Sequence, residues 1–437
     1  MNVVHLSPTK PSIHAEVAVP GSKSYTNRAL LLASMAHGLS RLSGVALSTD
    51  SEALVHALHL LGVSVHSSVD DDGSPALIVE GGGGRFRPYE GTIDVGPAGT
   101  TMRFLTALCA SIPGANLTLQ GSERMHERPI EELVTALNHS GAQITYVKRH
   151  GCPPLHFSTR QPLSGGLITV DGSRSSQFLS ALLLTAVLRA EGLTLTVTGN
   201  ESSRSYIAMT LQSLKDFGIA VSTDSPGTYQ IAGGQAVHAH NYTIEGDCSG
   251  ASYLWGLAAV SGGSVTVKNV NPNSAQGDIA FPQILARMGC SVTHAARAIT
   301  VSAPDTLDGI EVDMTNMPDT AQTLAVIAAC ARGTTVIRGL HTLRIKETDR
   351  IAALHNELRR VGIASEAGLD YLVVHGGSPT HARIKTYDDH RMAMSFALLG
   401  ARTAGITIEH PHVVSKSFIS FWDTVRAMGL KTVEAQS

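Results

Sequence analysis

The residues best able to do chemistry begin with Pro-Gly-Ser-Lys-Ser-Tyr-Thr-Asn-Arg at 20–28, which passes straight into an apolar run ending at 35. Pro20 and Gly21 break the chain, and Ser22 or Ser24 can cap the helix that the apolar run predicts. Lys23 and Arg28 then face the positive end of that helix, which costs a few tenths to about 1 kcal/mol per cation. A bound anion reverses the sign, because free backbone N–H groups and the cations converge on it. Similar loops recur. Asp-Val-Gly-Pro-Ala-Gly-Thr-Thr-Met-Arg at 94–103 offers glycines and hydroxyls through which an anion can reach backbone N–H groups. Asp-Gly-Ser-Arg-Ser-Ser-Gln at 171–177 groups the hydroxyls of Ser175 and Ser176 with the amide of Gln177. A further loop carries Asp319, and Tyr-Asp-Asp-His-Arg at 387–391 adds Arg391.

Two other segments hold charged residues in suggestive order. Leu-Arg-Ile-Lys-Glu-Thr-Asp-Arg at 343–350 leads into Ile351, Leu354, Leu358 and Val361, an apolar stripe at helical spacing. The run reads as the start of that helix, with Lys346 and Arg350 on one face and Glu347 about a quarter-turn round. A carboxylate amid cations is held ionised and can shuttle a proton; the alternative is a salt-bridged surface. Arg128 immediately precedes Pro129, a helix-initiating proline, and by itself reads as a surface arginine.

The elements that must position these residues form a repeat. Six apolar helical patterns each end in glycine and resume as a strand-like run, at Gly62, Gly141, Gly218, Gly289, Gly362 and Gly429, 67–79 residues apart. Each glycine occupies the position after a helix where a left-handed backbone is needed. Upstream of each, a polar or small-residue loop opens a second helix that is apolar nearly all round and therefore buried. The unit reads strand–helix–strand–helix–strand. Six units divide into two domains of three, with a boundary in the polar, histidine-bearing stretch 235–243. If the first strand pairs with the second half, the other crossing falls near Pro20, and two crossings so close make a hinge.

Composition sets limits. A chain of 437 residues exceeds one compact core. Hydrophobic residues make up 43% and charged residues 16%, which describes a well-buried globular protein. A net charge of −3 argues against a general nucleic-acid or membrane-surface binder, so anion binding must be local. Five cysteines, without CxxC or Cys/His metal spacing, read as reduced thiols of a cytoplasmic protein, and no metal site is implied. No run approaches the roughly 20 apolar residues of a membrane span, and no signal peptide is visible.

The motifs taken together resemble one family. PGSKSYTNR at 20–28, GTTMR at 99–103, RMHERPI at 124–130, DGSRSSQ at 171–177, RIKETDR at 344–350 and DHRMAM at 389–394 occur in the order found in 5-enolpyruvylshikimate-3-phosphate synthases, across essentially the full length. The resemblance implies an α/β (α+β) fold, a two-domain inside-out α/β barrel of six βαβαββ-type units. The implied domains are residues 1–20 plus 244–437 and residues 21–243, with the active site in the cleft between them. It implies transfer of the enolpyruvyl group of phosphoenolpyruvate to the 5-hydroxyl of shikimate 3-phosphate, without cofactor or metal, by a cytoplasmic monomer whose partners are those two small molecules. Residue by residue it places Lys23, Ser24, Arg28, Ser175, Ser176, Gln177, Ser203, Tyr206, Asp319, Thr342 and Lys346 on shikimate 3-phosphate. It places Lys23, Gly99, Arg128, Gln177, Arg350, Arg391 and Lys416 on phosphoenolpyruvate.

Asp319 and Glu347 match the acid/base carboxylates, Asp319 for the hydroxyl proton and Glu347 for the methylene carbon, with Lys23 sharing the work. Pro97, Phe104, Thr342 and Asp388 depart from residues common in the family. Two other readings compete. A UDP-N-acetylglucosamine enolpyruvyl transferase would carry a cysteine in the loop before its Arg-Pro pair, and residues 121–129 have none. A non-catalytic phosphate binder would gain nothing from Asp319 and Glu347.

Overall fold

In the computed structural model, which describes residues 2–9, 12–199 and 203–436, the helices alternate between two kinds. The inner kind comprises α1 (Lys23–Met35), α3 (Gly99–Ala110), α5 (Ser176–Thr185), α7 (Cys248–Ser261), α9 (Ala321–Ala328) and α11 (His390–Ala397). The outer kind comprises α2 (Thr49–Leu60), α4 (Glu131–His139), α6 (Arg204–Asp216), α8 (Phe281–Arg287), α10 (Arg350–Arg360) and α12 (Phe421–Met428). Inner helices are apolar on all sides and bury accordingly: every residue of α7 but Ser249 is buried. Outer helices bury one stripe, as Ile351, Leu354 and Leu358 do on α10. Of the two candidate caps for α1 it is Ser22 that serves, its Oγ accepting the Tyr25 N–H at 3.5 Å.

Six sheets accompany the helices, and five of them have four strands. The sheet of the second repeat shows the pattern. Glu90–Asp94 runs parallel to Asn116–Gln120 across α3, and the hairpin Ile144–Tyr146 with Leu155–Phe157 follows α4. Strand residues alternate between buried and exposed, so each sheet packs one face on helices and turns the other to solvent. The chain is an α/β protein of βαβαββ repeats with helices inside and sheets outside. The third repeat departs from the pattern with only three strands, Gly166–Asp171, Gly192–Thr198 and Thr228–Ala232. Its fourth strand is reduced to a single bridge between Ser222 and Gln230. Residues 222–227 are Ser-Thr-Asp-Ser-Pro-Gly, turn formers that cannot sustain a ladder.

All six helix-ending glycines adopt positive φ, from 79° at Gly362 to 110° at Gly429, the conformation that ends each outer helix. The chain divides into two units, residues 21–244 and residues 1–20 with 245–437. Strands cross over between sequence halves to complete the sheets. His14–Ala18 pairs in parallel with Ser264–Lys268, and Asn241–Thr243 with His37–Ser43. Asn2–Pro8 joins Ile406–Glu409 and Leu430–Gln436. In the unit of residues 245–437, Asn269 fastens both crossing segments. Its side chain bonds the Val19 N–H at 3.1 Å and the Val19 carbonyl at 2.7 Å, while its own carbonyl accepts the Gly246 N–H at 2.8 Å.

All five cysteines are free and buried, and burial pushes the Cys109 and Cys290 thiols up to about 12, leaving them inert. No helix among the described residues is long and apolar enough to cross a membrane.

Gly21 supplies a steric test of the crossing within the unit of residues 21–244. A Cβ there would sit 1.8 Å from the Gly44 carbonyl oxygen, and Gly44 itself lies at φ +66°. Backbone must move to admit a methyl group. Gly21→Ala is expected to destabilise this unit by about 2–4 kcal/mol, read as a lowered urea midpoint with unchanged m. An unchanged midpoint would show that the contact is not obligatory.

Candidate active site

In the unit of residues 245–437, Arg350 is the first residue of α10 and almost wholly buried. Its Nε and Nη2 grip Asp389 at 2.6 and 3.3 Å, Nη1 reaches Asp319 at 3.0 Å, and Nη2 also reaches Glu347 at 2.9 Å. Arg391, in the first turn of α11, donates to the other Asp319 oxygen at 3.0 Å and to the Tyr253 hydroxyl at 3.2 Å. Lys416 closes the group on Glu347 at 2.6 Å, and Lys346 stands 3.9 Å from Asp319. Six residues expected at the site from sequence, Asp319, Lys346, Glu347, Arg350, Arg391 and Lys416, thus form one charged network.

The network alters two expectations. The helix begins at Arg350, not at Lys346, because the Asp349 side chain caps it by accepting the Ala352 N–H at 3.1 Å. Lys346 and Glu347 therefore reach the site from the incoming loop rather than from a helix face. The second concerns the cations at the helix starts of this unit, Arg350 and Arg391, which do have anionic partners already. These are the protein's own carboxylates: Asp389 caps α11 by accepting the Arg391 N–H at 2.8 Å while holding Arg350. Burial works to lower the Arg350 pKa, but Asp389, Glu347 and Asp319 outweigh it and raise it. Thr342, in the short helix just before, has a buried hydroxyl without a hydrogen-bond partner.

In the unit of residues 21–244, Lys23 at the start of α1 is paired with Asp50 at 3.0 Å. The Asp50 carbonyl accepts the Thr101 hydroxyl at 2.9 Å, which joins the starts of α2 and α3. Gln177, at the start of α5, donates to Thr100 at 3.2 Å. The Ser175 hydroxyl caps α5, and Ser176 is buried beside it. Arg28 is more deeply placed than a surface cation. Its guanidinium bonds Thr210, Ser180 and the carbonyls of Ser24 and Tyr206, and lies over the Phe104 ring at 5.5 Å. Burial pulls its pKa down to about 10. Ser203 precedes α6 at φ +56°, and its neighbour Ser202 lies outside the described residues.

Arg128 is buried, not a surface residue, and Pro129 lies two positions before α4 rather than in its first turn. No described residue makes a hydrogen bond or ion pair to the Arg128 guanidinium, whose Nε is fully enclosed. That guanidinium lies against Gly99: a Cβ on Gly99 would be 2.5 Å from Nη1 and 2.9 Å from Cζ. The guanidinium thus occupies space that only a glycine at position 99 leaves open.

Sequence reasoning missed Asp50, Asp389, Tyr253 and Asp278. Asp50 reads as an ordinary acidic residue in a first helical turn, and Tyr253 as core. Asp389 was visible inside the DHR run, but its grip on Arg350 spans 39 residues. Asp278 sits in a short helix that nothing in the local pattern marks.

Carboxylates paired with arginine and lysine at the starts of buried helices are the side-chain chemistry of an enzyme acting on anionic substrates. The comparisons name it more closely. The family model for EPSP synthase (3-phosphoshikimate 1-carboxyvinyltransferase) matches residues 8–425. A 3-phosphoshikimate 1-carboxyvinyltransferase of Sulfurovum sp. is 40% identical over 436 residues, covering 98% of this chain and 99% of that protein. One from Methanoregula boonei is 39% identical, covering 95% and 97%. The EPSP synthase structure from Acinetobacter baumannii superposes with a TM-score of 0.83 at 26% identity, covering 100% of both chains. The chain belongs to the EPSP synthase family. Its reaction transfers the enolpyruvyl group of phosphoenolpyruvate to shikimate 3-phosphate and releases phosphate, a step of the shikimate pathway to aromatic amino acids.

Asp389 is the anchor of the charged network and the group whose loss the fold should feel most. Asp389→Ala is expected to cost about 3–5 kcal/mol in equilibrium unfolding, because it strands a buried guanidinium and removes a helix cap. A loss under about 1 kcal/mol would mean that Asp319 and Glu347 suffice to hold Arg350.

Proposed function

We propose that Asp319 and Glu347 carry the two proton transfers of this reaction, and that the cations around them receive the phosphate of phosphoenolpyruvate. The observation behind this is that Arg350, Arg391 and Lys416 each touch one or both carboxylates. Asp319 takes the proton of the 5-hydroxyl as the oxygen bonds to C2 of the enolpyruvate, and Glu347 gives a proton to the methylene carbon. In the second half the C2–O bond to phosphate breaks. The methyl group returns its proton to Glu347, and the proton on Asp319 leaves with the phosphate. Atoms and charge balance over the two halves.

The pairing explains how Glu347 acquires a proton. In the free protein its carboxylate is paired with Lys416 and Arg350. An arriving phosphate competes for the same cations and brings negative charge, and both effects raise the carboxylate's affinity for a proton. The donor therefore loads the acid that will attack it. Lys23, positioned by Asp50, acts on both substrates and assists the proton transfers. Ser24, Arg28, Ser175, Ser176, Gln177, Ser203, Tyr206, Thr342 and Lys346 bind shikimate 3-phosphate. Arg28 retains only one guanidinium hydrogen for that purpose, so its larger contribution is to hold α1, α5 and α6 in register. Gly99, Arg128 and Gln177 complete the donor site. We assign the chain to the cytoplasm, where buried free thiols stay reduced, and to action as a monomer.

Phosphate release tests the reading directly. Release is expected with phosphoenolpyruvate plus shikimate 3-phosphate and not with UDP-N-acetylglucosamine as acceptor. Glu347→Gln should lower kcat by about 10²–10⁴-fold, the usual worth of a positioned acid or base; a loss under threefold would remove Glu347 from proton transfer. Gly99→Ala should displace the Arg128 guanidinium and raise KM for phosphoenolpyruvate by about 10–100-fold, the range for losing a charge-assisted hydrogen bond. An unchanged KM would take Arg128 out of the donor site.

A further inference from the structure

One buried carboxyl in the unit of residues 245–437 has no part in the scheme above. Asp278 lies in the short helix Gly277–Ala280, 5% exposed, and makes no ion pair with any described residue. Among the described residues its side chain takes one hydrogen bond, from the Ser249 hydroxyl at the start of α7. Its neighbour Gln276 fixes the segment: Oε1 accepts the Cys248 N–H at 3.1 Å, and Nε2 donates to the Gly246 carbonyl at 2.9 Å and to Glu245 at 3.0 Å. Asp278 is therefore held rigidly against the start of the helix that also carries Tyr253, the hydroxyl partner of Arg391.

The charges that face Asp278 come from three elements. Asp247 and the Cys248 thiol stand at the start of α7, Asp319 in the loop before α9, and Arg391 at the start of α11. Behind Asp319 stand Arg350 and Lys346. Two like charges against one shared arginine leave no room for a third ionised carboxyl. Asp319 has three cations within 4 Å, whereas Asp278 has a serine hydroxyl. A buried carboxyl so placed is neutral unless forced.

We propose that Asp278 is a positioning residue for the Asp319–Arg391 pair, which carries a proton in the working enzyme and thereby leaves the Arg391 charge available to the phosphate of the donor. When Asp278 loses that proton, a second carboxylate bears on Arg391 and Asp319, the donor's phosphate is repelled, and Asp319 becomes more basic. Burial first, and the Asp319 charge second, push the Asp278 carboxyl up to about 7, so this switch falls within the physiological range. The sign is fixed: the carboxyl is neutral below that pH and charged above it, so donor binding weakens as pH rises. This inference rests on the role given to Arg391 above.

The test compares KM for phosphoenolpyruvate from pH 6 to pH 9 in the wild-type protein, Asp278→Asn and Asp278→Glu. Both variants are referred to wild type, so the ionisation of the substrate cancels. Near pH 6 the wild type and Asp278→Asn should agree. By pH 8.5 the wild-type KM should exceed that of Asp278→Asn by about 3–10-fold, and Asp278→Glu should restore the rise. Parallel profiles for wild type and Asp278→Asn, or a loss of kcat equal at every pH, would overturn the proposal. Carbon-13 carboxyl NMR of the wild-type protein gives a readout independent of folding in the variants. A midpoint for Asp278 between about 6 and 8 supports the assignment, and one below 5 defeats it. A wild-type protein that releases no phosphate from the two substrates would instead fail the reading on which the inference rests.

Discussion

The structure of the larger charged site depends on one buried guanidinium. Arg350 is 1% exposed at its side chain and meets three carboxylates, two from its own repeat and one from the next. A cation removed from water to this degree is tolerable only when its fork of donors is filled by ionised acceptors. Asp389 fills the side-on edge, and Asp319 and Glu347 each take one further hydrogen. The same bonds orient the two carboxylates to which we assign the proton transfers, so on that reading one interaction serves both folding and chemistry. It also joins the start of α10 to that of α11, and through Arg391 to Tyr253 on α7.

The repeat explains why such an assembly can be built from distant residues. In sequence each inner helix follows, after a short loop, a strand that pairs in parallel with a neighbour. Each unit holds three such helix starts, α7, α9 and α11 in one and α1, α3 and α5 in the other. In the first, Asp319 before α9 meets Arg391 of α11; in the second, Gln177 of α5 meets Thr100 of α3. Backbone N–H groups at those starts carry partial positive charge, which suits phosphate and carboxylate groups. Added cations are unfavourable there without counter-charges, and Asp50, Asp389 and Asp319 provide them for Lys23, Arg350 and Arg391.

Much of this was legible in the chain. The periodic glycines marked the ends of six outer helices, and all six hold positive φ because only glycine takes that conformation without strain. The all-round apolar character of the inner helices foretold their burial. The charged motifs at 20–28, 343–350 and 387–391 lie at helix starts or in the loops leading into them, with Lys346 and Glu347 in the latter. What failed was local. A stripe at helical spacing could not reveal that Asp349 would cap α10, and a Pro after Arg128 suggested an exposed turn where the arginine is enclosed. The third sheet lost a strand to turn residues that the repeat period conceals.

Residue type and spacing by themselves determined the repeat, the helix ends and the family, since each follows from local backbone preference or from a contiguous motif. Pairing was decided by the tertiary structure alone. Arg350 with Asp389, Lys23 with Asp50, Lys416 with Glu347 and Gly99 with Arg128 are separated by 27 to 69 residues. Burial was decided there too, and burial is what turns these charges into chemistry. An arginine at 28 or an aspartate at 278 is an ordinary ion in the unfolded chain. Enclosed by three helices or set against another carboxylate, the same groups shift their pKa, because the charged form has lost the water that stabilised it.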